Sequence, residues 1–375
     1  MEDMVVAIDA ACRSGQPFAL VSLVASSGSV PMSERSRMVV WADGRACGTI
    51  GGGCLEAELV AVAQQVLCRQ LPVLYEQTLT EEQAGAGGLS CGGTVHVYVE
   101  PIDPQADGPV FAAAAAAWQA RRPCISAVRV EDQQRRHPRP RLVLDADGTQ
   151  WGSLGTPALD RRCRAQLGSW LQDDEPRLVH LDPTDDDRSP RAVRADDAPG
   201  APVFVEPQLP SPVLYVFGGG HLGGHLVPLA RGVGFRVVVA DDRAHFANAD
   251  RHPAAHQWLV GEPADLIPQL PIDNHSYVVA VTRGHQFDEA VIEHAIRTPA
   301  RYVGMIGSER KKLLLWERLR ARGADPGRLE QIAAPIGINI SADTPAEIAV
   351  SIVAELILAR RGPPRPWRTR KARAL

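Results

Sequence analysis

Two glycine-rich loops and two thiols are the residues of this 375-residue chain whose types and spacing suit them to chemistry. Gly218-Gly219-Gly220-His221-Leu222-Gly223 has the spacing G-x-G-x-x-G, and it follows an apolar run and opens a helical pattern. In that setting the first glycine permits a tight turn, the second lets the backbone approach a phosphate, and the third lets helix and strand pack closely. The helix start adds unpaired N–H groups and a partial positive charge, worth about 0.3–1 kcal/mol to an anion. Asp241 ends the next apolar run, where a carboxylate accepts hydrogen bonds from a ribose diol. Arg243 can instead face a phosphate. A nucleotide or phosphate ligand is therefore expected at Gly218, Gly220, His221, Gly223 and Asp241, and the plainer alternative is glycines that serve only the turn. His221 stands where a small or apolar residue is usual, with His225 one turn on. Pro228 falls inside the same helix and should kink it.

The second loop is Thr49-Ile50-Gly51-Gly52-Gly53-Cys54-Leu55-Glu56. Three successive glycines cost conformational entropy, which suggests close approach of the backbone to another group. Cys54 sits at the first turn of the helix that follows. There its pKa should fall from about 8.5 towards the 3.5–7.5 range, giving a nucleophile, a persulfide carrier or a soft-metal ligand. Cys91 has a similar setting in Ser90-Cys91-Gly92-Gly93. The alternative for both is a small residue filling a turn. Cys12, Cys47, Cys68, Cys124 and Cys163 have no such setting and are read as structural.

The elements that must position these residues differ between the two halves. Helix 4–13, strand Phe18–Ala25, a hairpin over Met38–Ile50 turning at Ala42-Asp43-Gly44-Arg45, a helix over Cys54–Leu67 and strand Thr94–Glu100 precede a less readable stretch, in which Ala112–Ala117 should be helical. One echo stands out: Val97-Tyr98-Val99-Glu100-Pro101 and Val203-Phe204-Val205-Glu206-Pro207 both look like strands stopped by proline. From Val213 the pattern changes to apolar runs at Val213–Phe217, Val237–Ala240, Tyr277–Val281 and Tyr302–Ile306 separated by helices, the signature of a doubly wound α/β domain. Thr344, Pro345 and Glu347 have the spacing of a capping box that starts the last helix. The fold class is α/β, with an N-terminal α/β domain over 1–208, including an acidic, proline-rich loop at 182–202. A Rossmann-like parallel-sheet domain over 212–360 and a basic tail over 361–375 follow.

Composition narrows the function. Lys+Arg 40 against Asp+Glu 44 gives a net charge of −4, which argues against a nucleic-acid partner. No apolar stretch reaches membrane-spanning length, and the start lacks the features of a signal peptide, so a cytoplasmic location is expected. Seven cysteines without a Cys-x-x-Cys argue against disulfide scaffolds and structural zinc. Neither glycine loop carries a Walker lysine, and neither a nucleophile elbow nor His-Glu-x-x-His is present.

The motifs combine into a known pattern. Gly28-Ser29-Val30-Pro31, Gly48 through Glu56 and Cys91-Gly92-Gly93 resemble the N-terminal domain of the xanthine dehydrogenase accessory factors, the XdhC/CoxI family. Phe217 through His221, Asp241-Asp242-Arg243, Tyr302 through Ser308 with Lys311 and Lys312, Pro335-Ile336-Gly337 and Thr344 through Ala349 resemble that family's Rossmann domain. The resemblance implies a molybdenum-cofactor chaperone, not a turnover enzyme. It would bind molybdopterin, assist its sulfuration with a cysteine desulfurase, and pass it to a xanthine dehydrogenase-type molybdenum hydroxylase, as a homodimer. It further implies cofactor contacts at Gly51, Gly52, Gly53, Cys54 and Cys91, with the two thiols as molybdenum or persulfide ligands. Asp288, Ser308 and Lys311 are candidates for the Rossmann rim. Three positions depart from the family pattern: Ser33 through Arg37, Thr282-Arg283 with His285 two positions on, and Asn339. The runner-up is an NAD(P)-dependent oxidoreductase using the Rossmann loop, Asp241 and an acid from Cys54 or His285. A persulfide relay through Cys54 or Cys91 is the third reading.

Overall fold

The structure, a computed structural model, describes residues 2–28, 30, 32–33, 35–79, 93–131, 133–134, 138–182, 200–283 and 285–362. They divide into two compact units at Pro210/Ser211.

The first unit begins with α1 (Glu2–Arg13), β1 (Phe18–Ser27), β2 (Arg37–Trp41), β3 (Ala46–Thr49), α2 (Gly53–Arg69), β4 (Val73–Thr78) and β5 (Thr94–Ile102). The five strands form an antiparallel sheet in the order β3-β2-β1-β5-β4. The hairpin at Ala42–Arg45 turns where expected, with Gly44 at φ 84° and the Asp43 carboxylate accepting from the Arg45 amide at 3.0 Å. Leu55, Leu59, Ala63 and Val66 of α2 cover one face of the sheet, packing on Val21, Met38, Val40 and Val97. The sequence pattern points to Leu55, Leu59, Val62 and Val66 as this stripe; Ala63 takes the buried place and Val62 is only partly buried.

The less readable stretch holds a second sheet of the same plan. Here α3 (Gly108–Gln119), β6 (Cys124–Arg129), β7 (Arg141–Asp145), β8 (Gln150–Ser153), α4 (Pro157–Asp173), β9 (Arg177–Leu181) and β10 (Ala201–Gln208) follow in order. The sheet is antiparallel, in the order β8-β7-β6-β10-β9, and α4 covers it through Leu159, Cys163, Leu167 and Trp170. The prolines of the echo do not stop their strands, contrary to expectation. Pro101 pairs with Ala19 and Pro207 with Ile125, inside β5 and β10. The neighbouring strands β4 and β9 end their pairing at Val99 and Val205, so the missing N–H costs neither ladder a bond.

Between the two sheets lie Val24, Tyr98, Val128, Val130 and Phe204, and the buried charges of two ion pairs. Arg37 on β2 reaches Glu206 on β10 at 2.7 Å, and Arg141 on β7 pairs with Glu100 on β5. Burial pushes the Arg37 pKa down and the Glu100 pKa up, each opposed by its partner's charge. Such charges are held in place by geometry, and removing one partner costs about 3–5 kcal/mol.

The second unit is the doubly wound domain. It contains β11 (Val213–Phe217), α5 (His221–Gly232), β12 (Arg236–Asp241), β13 (Gln257–Val260), α6 (Pro263–Leu266), β14 (Ser276–Ala280), α7 (His285–Ala295), β15 (Tyr302–Met305), α8 (Glu309–Ala321), α9 (Pro326–Glu330) and α10 (Pro345–Arg361). All five strands are parallel, in the order β13-β12-β11-β14-β15. Val291, Leu315 and Leu319 of α7 and α8 bury one face, and Leu226, Ile352 and Leu356 of α5 and α10 bury the other. The Thr344–Glu347 capping box is formed on both sides, and Pro228 lies inside α5. Among the described residues no helix is long and apolar enough to cross a membrane.

Glycines in the first unit give opposite expectations for one substitution. A Cβ on Gly48, at φ +94°, would stand 2.3 Å from the Arg37 carbonyl oxygen. Gly168 lies inside α4 with nothing within 4 Å. In urea unfolding, Gly48→Ala should lose more than about 1 kcal/mol and Gly168→Ala should gain about 0.4–1 kcal/mol.

Candidate functional site

The thiol loop of the first unit hangs on one carboxylate. Glu56 Oε2 accepts from the Thr49 hydroxyl at 2.8 Å, the Ile50 amide at 3.3 Å and the Gly52 amide at 2.9 Å. Gly51 donates to the Thr49 hydroxyl at 3.1 Å. Gly51, Gly52 and Gly53 all have positive φ, at 114°, 79° and 70°. No side chain caps α2, and Cys54 is exposed on its first turn.

The second sheet supplies an internal control for this loop. Asp160 stands in the place of Glu56, accepting from the Ser153 hydroxyl and the Leu154 amide, both at 2.7 Å. Gly155 donates to the Ser153 hydroxyl at 3.1 Å, as Gly51 does to Thr49. From there the two loops part. Thr156 takes an extended conformation and caps α4 by accepting from the Leu159 amide at 3.4 Å, Pro157 fills the first helical position, and Ala158 follows. The second frame passes from strand to helix with Thr156-Pro157-Ala158 in place of Gly52-Gly53-Cys54, by a different backbone path: φ is −141° at Thr156 and 79° at Gly52.

The other thiols sort by burial. Cys12, Cys124 and Cys163 are each pushed up to about 12, first of all by burial, and act as small apolar residues. Cys47 and Cys68 are exposed, so their reading as structural residues is corrected. Alternation along β3 leaves the face of Cys47 undetermined, because all four of its residues are exposed. Cys91 lies outside the described residues. Among the described residues no group of three or more His, Cys, Asp or Glu could hold a metal ion.

In the second unit, β12 lies on one side of β11 and β14 on the other, so the C-terminal ends of these strands form a topological switch point, where such sheets bind ligands. A shallow cleft opens there, lined by Gly218, Asp241, Asp242, Thr282, Arg283 and Phe287 among others. The glycines divide the labour as the motif requires. A Cβ on Gly218 would meet the Val281 carbonyl oxygen at 2.3 Å, and one on Gly223 would meet that of Gly218 at 2.2 Å. Gly220, the residue before α5, has nothing within 4 Å and a negative φ of −68°, so its backbone is open to approach. His221 and His225 are exposed.

Asp241 is already engaged. Its carboxylate accepts from the Gly219 amide at 2.9 Å, the Arg243 amide at 3.1 Å, and the Arg243 guanidinium at 2.9 and 3.2 Å. Arg243 in turn lies 3.8 Å over the Phe246 ring. Burial disfavours the charged form of Asp241, but the hydrogen bonds from Arg243 and Gly219 outweigh it and hold the carboxyl below its ordinary value. The expected free acceptor for a ribose diol is a bound one here. Sequence spacing places Asp241 on the rim, and it carries no signal of the stacking that turns Arg243 back onto it.

The rim continues at the ends of β14 and β15. Asp288, fully buried, accepts from the Thr282 amide at 3.2 Å and hydroxyl at 2.7 Å and from Lys311. Lys311 also donates to the Ile306 carbonyl at 3.2 Å. Burial pushes the Asp288 pKa up against the pull of Lys311 and Thr282. Ser308 caps α8, accepting from the Lys311 amide at 3.2 Å. Gly218, Asp241 and Thr282 thus line one cleft, Thr282 ties it to Asp288 and Lys311, and the hydroxyl of Ser308 is spent on its helix.

Residues 214–356 match the family described as the XdhC Rossmann domain, and residues 11–76 match the one described as the XdhC and CoxI family. The chain thus carries both an XdhC and CoxI family domain and an XdhC Rossmann domain. A Bacillus subtilis (strain 168) protein named as a probable xanthine dehydrogenase subunit is 25% identical over 360 residues, 94% of this chain and 96% of the relative. An Escherichia coli (strain K12) protein named "uncharacterized protein YqeB" is 28% identical over 60% of this chain and 41% of its own length. A solved structure from Bacillus halodurans, described as a xanthine dehydrogenase, superposes with a TM-score of 0.72 at 24% identity over 97% of this chain and 98% of its own, which establishes the shared fold.

Two outcomes follow for this XdhC-type chain. Brief alkylation of the native protein near neutral pH, mapped by peptide mass spectrometry, should modify Cys47, Cys54 and Cys68 and leave Cys12, Cys124 and Cys163 unmodified until the fold is opened. Asp241→Asn should lose about 1.5–3 kcal/mol at pH 7, as expected for charge-assisted hydrogen bonds. A carboxyl whose folded pKa lies below its unfolded value stabilises the fold above the ordinary 3.8 and gives that up as pH falls through the lower folded value. The difference between wild type and variant should therefore persist down to about pH 4 and close only below it, read from urea midpoints against pH.

Proposed function

We propose that this chain binds the molybdenum cofactor, protects it, assists its sulfuration and passes it to a xanthine dehydrogenase-type molybdenum hydroxylase. The observation that carries the reading is the Gly52-Gly53-Cys54 segment. It is an exposed thiol on an uncapped helix start, set in a frame that the chain builds elsewhere with Thr-Pro-Ala. A reactive thiol left exposed beside an uncapped helix start, where the second frame has an alanine, is explained by a ligand.

The residues present fit such a cofactor in two places, each within its own unit. When bound, the cofactor supplies an oxygen- and sulfur-ligated molybdenum centre carried on a phosphorylated pterin. Cys54 offers a soft sulfur, suited either to a molybdenum centre or to holding a transferable sulfur as a persulfide. The amides at the start of α2 favour an anion beside it. In the Rossmann unit, the open backbone of Gly220 and the start of α5 suit a phosphate, and Lys311 is held on the same rim by Asp288. The relative whose name ties it to xanthine dehydrogenase motivates the hydroxylase as recipient. A cysteine desulfurase as sulfur donor, a homodimer and a cytoplasmic setting belong to the same reading. The nicotinamide reading loses support because Asp241 is saturated by Arg243 and Gly219.

The test is pterin content. The protein is purified anaerobically from a host that makes the cofactor and oxidised to release the fluorescent pterin. Wild type should carry near-stoichiometric pterin, and Cys54→Ala and Gly220→Asp should each carry several-fold less. Gly220 is the N-cap of α5, where Asp is a preferred residue, so Gly220→Asp should keep or raise Tm while its carboxylate repels the anion. Absence of pterin from every sample would overturn the reading, and reduced nicotinamide fluorescence changing on titration would favour the oxidoreductase instead.

A further inference from the structure

The two sheets of the first unit share more than their strand order. Each is an α-β-β-β-α-β-β run, and residues that do the same work recur 104 positions apart over the hairpin and turn. Gly48 and Gly152 both have positive φ, and a Cβ on either would strike a carbonyl oxygen, that of Arg37 at 2.3 Å and that of Arg141 at 2.2 Å. Three bonds of the Thr49–Glu56 network recur in the Ser153–Asp160 network: hydroxyl to carboxylate, the next amide to the same carboxylate, and the glycine amide to the hydroxyl.

The contacts between the sheets are reciprocal in the same sense. Arg37 pairs with Glu206, and its counterpart Arg141 pairs with Glu100. Arg35 donates to the Pro207 carbonyl at 2.8 Å, and its counterpart Arg139 donates to that of Pro101 at 3.4 Å. The Glu-Pro echo supplies the acceptors in both directions. Leu74 and Leu178 flank the apolar patch between the sheets from the two sides, and Tyr98 and Phe204 lie within it.

We propose that the first unit is two tandem copies of one module, of which the first carries the thiol loop and the second, without it, is the partner that the first copy's pairing face requires. The face that carries Arg35, Arg37, Tyr98, Glu100 and Pro101 is a self-recognition surface, and the partner it fits is a second copy of the module. Its reciprocal salt bridges are those of an isologous contact, in which residue i of one copy meets j of the other and j meets i. Of the two corresponding strand-to-helix loops, one therefore bears glycines and a thiol and the other is its capped, silent counterpart. This inference does not depend on which ligand the thiol site takes.

Charge reversal in the full chain tests the pairing. Arg37→Glu and Glu206→Arg should each lower Tm, and together they should recover most of the loss. The counterpart cycle, Arg141→Glu with Glu100→Arg, should show coupling of the same sign and similar size. Double variants no better than the worse single, or coupling in one cycle only, would overturn the equivalence. A loop transplant keeps the proposal testable if reversed charges prevent folding. Thr156→Gly with Pro157→Gly and Ala158→Cys should give a thiol at position 158 that is alkylated within about threefold of the Cys54 rate in the same molecule. A thiol there slower than Cys54 by more than about tenfold would show that the second frame is not a copy of the first.

Discussion

The first unit rests on an exchange of buried charge. Arg37, Glu100, Arg141 and Glu206 are taken out of water, and each has its salt-bridge partner in the other sheet. Neither sheet can keep these groups buried alone, because an uncompensated buried charge costs several kcal/mol. The thiol loop depends directly on this exchange. Arg37 is the register partner of Thr49, the hydroxyl on which the loop turns, and its carbonyl oxygen is what Gly48 packs against. From the paired charge the order of support runs through β2 and β3 to Glu56 and then to the first turn of α2. The loop can spend three positive-φ glycines because its footing is fixed from beneath.

The second unit reaches an open anion site by another route. There the sheet is parallel and both faces are buried, so the strand ends are the places where backbone groups reach solvent. The loop after β12 closes over part of that edge. Arg251 and His252 both reach the Gly219 carbonyl at 3.0 Å, and Arg243 is folded back between Asp241 and Phe246. What stays open is Gly220 and the start of α5. The arrangement favours a ligand recognised by its anionic group over one recognised by a sugar diol.

Much of this is legible in particular residues. The run Val213–Phe217 is buried on both sides and maps residue for residue onto β11, because a strand covered on two faces has no polar position to blur its ends. Thr344 and Glu347 carry their capping box because the signal is local. The second sheet is hidden for the opposite reason. Its turn uses Gly-Thr-Pro in place of three glycines, and the residues that reveal its kinship, Arg139 and Arg141, gain their meaning only from acceptors on another sheet. The Glu-Pro echo is the visible trace of that exchange, and it reads as a stop in sequence because the pairing that tolerates Pro101 and Pro207 is tertiary. Of the candidate site, the glycines and Cys54 are legible from type and order. The engagement of Asp241 and the burial of Asp288 are not, since both depend on side chains brought in from other elements.

The reciprocal pairing also orders the birth of the protein. A chain leaves the ribosome from its N-terminus, and domains fold as units while synthesis proceeds. The first sheet has all its strands once Ile102 has emerged, yet Arg37 still lacks Glu206 and Glu100 still lacks Arg141. Arg141 reaches Glu100 only 41 positions on, but Arg37 keeps its hydration through the making of roughly a further hundred residues, because its partner is distant in sequence. The thiol loop therefore acquires its footing late, when β10 arrives. A nascent chain interrupted before that strand would present a sheet whose pairing face is open to any other copy of the same module in reach.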